Sequence, residues 1–173
     1  MLVANFDEAD ADLYLYSTAG EILDFSIDTG EIESIVVAED GNYLVNAFAF
    51  TGATNYTLAI GAPTTSAAAA SLPSQHAIVP WEAVVKYRES LTLRSAAQKA
   101  SIATAKMGMR HAAGGEGRDR LMTLQRASGD FRRLESRVGA ALSKSDAIVD
   151  DTLRARWETL QTIKQLRQDP LIE

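Results

Sequence analysis

At 173 residues, with 46% hydrophobic and 23% charged side chains, the chain has material for packed cores and lacks the composition of a disordered segment. It contains no cysteine, which excludes disulfides and thiolate metal sites, and no apolar run of about 18 residues, so no helical membrane span is expected. The net charge of −6 is unevenly spread: residues 1–61 hold 11 Asp and Glu with no Lys or Arg, whereas residues 62–173 hold 12 acids against 17 bases. That contrast predicts two units and argues against nucleic acid or anionic lipid as partners of the first.

Strand chemistry fills residues 1–61. Leu13 and Leu15 alternate with Asp12, Tyr14 and Tyr16, and Ile22, Leu23, Phe25 and Ile27 follow with one slip. Ile35–Val37 forms a third run. Tyr43, Val45, Ala47 and Ala49 then alternate with Leu44, Phe48 and Phe50, and Tyr56, Leu58 and Ile60 form the last run. Ala19-Gly20, Thr29-Gly30, Asp40-Gly41-Asn42 and Thr51-Gly52 supply turn residues between them. Short strands at such spacing predict an antiparallel β-sandwich over residues 1–61. Residues 62–76 are small, contain Pro63 and Pro73, and offer little to bury; they read as a linker.

From residue 77 the period changes. Ala83–Tyr87 reads as a strand entered through Pro80, and Leu93, Ala96, Ala97, Ala100, Ala103 and Met107 recur at helical spacing, with Gly108 as a C-cap. Gly114-Gly115-Glu116-Gly117 reads as a loop before a strand from Arg120 to Gln125. Residues 127–150 are polar and fit either a short helix around Phe131–Val138 or a loop. Leu153, Trp157, Leu160, Ile163 and Leu166 predict an amphipathic helix, capped by Asp150 or Asp151 and stopped before Pro170. Leu171-Ile172-Glu173 starts a further strand. The order β-α-β-insert-α-β predicts a split βαβ, ferredoxin-like unit over residues 77–173, making the whole an α+β two-domain chain.

Two stretches carry a family resemblance. Asp10–Tyr16, the Asp40-Gly41-Asn42-Tyr43 turn and Phe50–Leu58 together resemble the bacterial pre-peptidase C-terminal domain, a jelly-roll-like sandwich that accompanies secreted peptidases. That family carries one or two strands before the position of Leu2, so the resemblance implies an N-terminally incomplete sandwich. Ile78–Arg88 (Ile-Val-Pro-Trp-Glu-Ala-Val-Val-Lys-Tyr-Arg) resembles the opening strand of subtilase pro-segments, with Trp81 where the family has glycine, and Thr162–Glu173 is similar to their last helix and strand. The resemblance implies a non-catalytic pro-region that assists folding of a downstream subtilisin-like serine peptidase and inhibits it until cleavage. It implies an extracellular protein, although Met1–Asn5 does not read as a signal peptide and export would need a signal upstream. In the resembled family a C-terminal tail enters the protease cleft, and the sequence stops short of it.

Candidate chemistry is sparse. Asp28-Thr29-Gly30 has the form of a peptidase signature, and Gly117-Arg118-Asp119 echoes a second one. Asp28 nevertheless falls where a turn is expected, and neither His-Gly-Thr nor Gly-Thr-Ser-Met-Ala occurs, so no catalytic residue is assigned. His76 and His111 have no second ligand or orienting partner in sequence reach and read as solvated side chains. Asp7, Glu8, Asp10 and Asp12 place four carboxylates within six residues. Such hard oxygens suit calcium, the one cofactor expected; the alternative is a charged edge strand that discourages strand addition. A second functional reading is an extracellular attachment module, with Tyr14, Tyr16, Tyr43, Phe48 and Phe50 as an aromatic face or, by their type, as core.

Overall fold

The computed structural model describes residues 1–4, 9–61, 78–87, 109–113, 120–124, 144–170 and 172. The expected linker, the helix over Leu93–Met107, the glycine loop and most of the 127–150 insert lie outside them. Asp7 and Glu8 do too. The described chain is mostly antiparallel β-sheet with one long helix, an α+β arrangement. It divides into two compact units, Met1–Ala77 with Asp146–Leu153, and Ile78–Ser145 with Arg154–Glu173.

The first unit contains β1 (Leu2–Ala4), β2 (Ala9–Ser17), β3 (Ile22–Ser26), β4 (Ile32–Glu33), β5 (Tyr43–Gly52) and β6 (Tyr56–Leu58). They form two antiparallel sheets ordered β4-β1-β6 and β3-β2-β5. The β2–β3 hairpin closes where Ala19-Gly20 predicts it. Ser17 N–H donates to the Glu21 carbonyl at 2.8 Å, and Gly20 N–H donates to the Ser17 carbonyl at 3.0 Å. Gly20 adopts φ 88°, a conformation open to glycine without penalty. The sheets are joined chemically where Ser26, ending β3, donates its hydroxyl to the buried Glu33 carboxylate of β4 and accepts the Ser34 N–H at 3.1 Å. Leu2, Leu13, Leu15, Ile22, Phe25 and Ile27 are buried in this unit.

Two expectations for this unit need correction. Ile35–Val37 is not a strand; β4 lies just before it, and Val36 and Val37 are exposed. β-Branched residues favour a pleated surface only when a neighbouring strand covers them, and no described strand does so here. β1 was not expected, because three residues are too few to show an alternation.

The second unit has β7 (Glu82–Val85), β8 (Met109–Ala113) and β9 (Arg120–Leu124) in the order β7-β9-β8, all antiparallel, with an isolated antiparallel bridge between Tyr87 and Ile172. β7 alternates as expected, Ala83 and Val85 inward, Glu82 and Val84 outward. β8 is a strand that sequence periodicity missed: only Met109 is buried, and the other four residues are exposed. A short helix, α1 (Lys144–Ala147), precedes α2 (Asp151–Arg167); Asp146–Leu153 belong to the first unit, and α2 from Arg154 onward belongs to the second. Leu153 N–H donates to Asp150 Oδ1 at 2.6 Å, so Asp150 is the N-cap. Ala83, Val85, Met109, Met122, Leu124, Leu166 and Ile172 form one core cluster, against which Trp81, Tyr87 and Ile163 pack.

Candidate functional site

β2 is the central strand of its sheet, with β3 on one side and β5 on the other. The edge-strand reading therefore fails for Asp10 and Asp12, the two acids on β2. Asp10 and Asp12 lie two residues apart, hence on one face of β2. Asp10 is half-buried and Asp12 is wholly buried. Tyr14, the next residue on that face, donates its hydroxyl to Asp12 Oδ2 at 3.2 Å. Cross-strand pairing sets Phe48 beside Asp12 and Phe25 beside Tyr14. The Tyr14 ring centroid lies 6.4 Å from those of Tyr16, Phe25 and Phe48, the last edge-on. Burial also raises the Tyr16 hydroxyl pKa above its usual value.

This arrangement satisfies a carboxylate within an aromatic core, as a buried charge requires. The expected aromatic face divides: Tyr14 is core, while Tyr16, Tyr43, Phe48 and Phe50 are half-buried. Among the described residues, no group of three or more His, Asp or Glu is disposed to hold a metal ion. Asp28 is exposed in the loop between β3 and β4, and His111 is exposed on β8. An open depression of about 340 Å³ on the first unit is lined by Val3, Ala4, Glu31, Asn55, Tyr56 and Thr57; one carboxylate without a second acid or base gives it no acid–base pair.

In the second unit the informative residue is Trp81. Its φ is 66°, the left-handed region that a bulky residue rarely enters and glycine enters freely. The conformation is held from both sides. Trp81 N–H donates to Thr159 Oγ1 of α2 at 2.9 Å, and its carbonyl accepts Leu124 N–H of β9 at 2.7 Å. Thr159, itself buried, donates onward to the Ala155 carbonyl at 2.7 Å. The helix stripe read from sequence named only apolar residues; α2 also buries Glu158, Thr159, Gln161 and Lys164. Polar residues carry no signal in a hydrophobic period, and only the Trp81 contact explains Thr159.

The sheet of this unit has one face filled by Leu166 and Ile163 of α2. On the opposite face Val84 is 69% exposed, with Glu82 and Thr123 exposed beside it. Among the described residues no helix is long and apolar enough to cross a membrane. Comparison with known proteins returns no significant match to any family model, curated protein or solved structure.

Proposed function

We propose that residues 77–173 are the pro-segment of a secreted subtilisin-like serine peptidase, and that residues 1–61 are an accessory sandwich of the pre-peptidase C-terminal type. The observation that carries this reading is the left-handed backbone at Trp81, because the resembled opening strand has glycine at that position. The pairing order adds to it. β7, β9 and β8 follow one another across an antiparallel sheet, and Ile172 bridges Tyr87 just beyond β7; with a fourth strand at Ile172 this would be the order of a split βαβ unit whose middle strands are its first and third. The open sheet face bearing Val84 offers a docking surface of the kind that such pro-segments lay on two surface helices of their enzyme. The mechanism is then tethered occlusion: the sheet binds, and the tail after the last strand lies in the cleft like a product. Tethering raises the effective concentration of that tail until cleavage releases it.

The test begins with the coding sequence beyond Glu173. It should continue into Asp-Thr-Gly, His-Gly-Thr and Gly-Thr-Ser-Met motifs, and the chain extended by about ten residues should give slow, tight inhibition of that peptidase in progress curves. A continuation into an unrelated domain, or no inhibition by the folded, extended chain at about micromolar concentration, removes the reading.

Calcium remains a proposal for the first unit, with Asp10 at the border of the buried face and Asp7 and Glu8 preceding it in sequence. Binding to the folded state should raise the melting temperature in millimolar calcium relative to chelator, and Asp10→Asn should abolish the rise. Identical melting curves would leave these acids without a cation role.

A further inference from the structure

Strand register assembles the open depression on the first unit. β1 is bonded by β4 on one side and by β6 on the other. Val3 pairs with Ile32, and Ala4 N–H donates to the Glu31 carbonyl at 2.9 Å, which sets Glu31 beside Ala4. On the other side Ala4 pairs with Tyr56. Residues opposite one another in a sheet share a face, so Glu31, Ala4 and Tyr56 form one row whose ends lie about 10 Å apart. The middle member contributes only a methyl group, which leaves a floor between a carboxylate and an aromatic ring. Asn55, Thr57 and Val3 complete the lining of this space of about 340 Å³. Tyr56 is 56% exposed, and Glu31, Asn55 and Thr57 are exposed beside it. An accessible ring and a carboxylate in one concavity suit an organic cation, which is attracted to the ring face as well as to the negative charge.

We propose that this depression binds a small organic cation of the alkylammonium class, with Tyr56 as its aromatic wall and Glu31 as its counter-charge. Three arguments select the class. Residues 1–61 carry 11 acids and no Lys or Arg, so the field of the unit draws cations to its concave surfaces. A calcium ion fits less well, because it takes about six to eight oxygen ligands and the lining offers a single carboxylate among neutral groups. A neutral ligand would cover the Glu31 carboxylate without compensating its charge, at a cost in desolvation. The inference stands apart from the pro-segment reading, which concerns the other unit.

The experiment titrates the full, isotope-labelled 173-residue chain with choline chloride at constant ionic strength and follows amide and tyrosine-ring chemical shifts. Resonances of Ala4, Glu31 and Asn55–Thr57 should move saturably with a Kd of about millimolar, since contacts at exposed sites are individually weak. The uncharged isostere of choline, in which carbon replaces the ammonium nitrogen, should bind about tenfold more weakly or worse. Tyr56→Ala and Glu31→Gln should each weaken choline binding about fivefold or more, whereas Tyr56→Phe should retain it, because the cation meets the ring and not the hydroxyl. Circular dichroism should stay unchanged in all three variants, since both side chains are exposed. Absence of saturable shifts up to about 100 mM choline overturns the proposal. Equal binding of the uncharged isostere overturns it as well, by reducing the site to an apolar depression. Undiminished affinity in Tyr56→Ala or in Glu31→Gln overturns the assignment of these residues, as does a loss in Tyr56→Phe equal to that in Tyr56→Ala.

Discussion

Phe25→Ala is expected to remove about 3–5 kcal/mol from the stability of the acidic unit, enough to unfold much of it near physiological temperature. Phe25 is 1% exposed, and its ring lies 6.4 Å from that of Tyr14, which is itself fully buried. Two contributions add in this substitution. The first is the lost transfer of an aromatic side chain from water, and the second is the cavity left among neighbours that cannot close over it. Collapse is restricted because the Tyr14 hydroxyl is tied to Asp12 and both sit on a strand paired on each side. The measurement is urea unfolding followed by near-ultraviolet circular dichroism of the tyrosines. Tryptophan fluorescence provides an internal control, since Trp81 and Trp157 are the chain's two tryptophans and both belong to the second unit. A loss below about 1 kcal/mol would show that Phe25 is not the keystone of this core.

Tyr87→Phe is expected to act in the opposite direction, stabilising the second unit by on the order of 1 kcal/mol at neutral pH. The Tyr87 hydroxyl oxygen is buried and has no hydrogen-bond partner among the described residues, so the folded state bears its desolvation without return. The ring loses nothing by the change: it still packs on the core cluster, and the Arg120 guanidinium still lies 5.7 Å from its centroid. The same residue links stability to pH. Desolvation raises its hydroxyl pKa above the usual 10.0; Asp169 raises it further, and Arg120 opposes the shift. A raised native value means that the folded state holds this proton more tightly than the unfolded chain does. The corresponding stability is complete below about pH 10 and is lost as pH climbs through the native value. The variant should therefore lose less stability than the parent in melts above that pH. Equal alkaline slopes, or destabilisation at neutral pH, would mean that the hydroxyl is satisfied after all.

Much of the element inventory was legible because it is local. The alternation from Asp12 to Tyr16 and from Tyr43 to Phe50 marks β2 and β5, and Ala19-Gly20 marks the hairpin after β2. The helix ending in Arg167 was bounded by a cap and a proline, and the Asp150–Leu153 hydrogen bond chose between two candidate caps. Short or unpartnered stretches were not legible. β1 and β4 are two or three residues long, β8 buries one side chain, and Ile35–Val37 has strand chemistry without a strand to pair with.

For this protein, residue spacing alone determined where the chain alternates, where it turns, and that an acidic stretch precedes one of mixed charge. Those properties depend on neighbours within a few positions. The tertiary structure alone decided that β2 is central, which converts Asp12 from an expected surface acid into a buried acceptor for Tyr14. It also decided that Trp81 occupies a glycine-like conformation held by Thr159, a residue 78 positions away. The physical reason is the same in each case. Burial, central position in a sheet and strain belong to contacts between distant segments, and a side chain's own period carries no record of which segment will cover it.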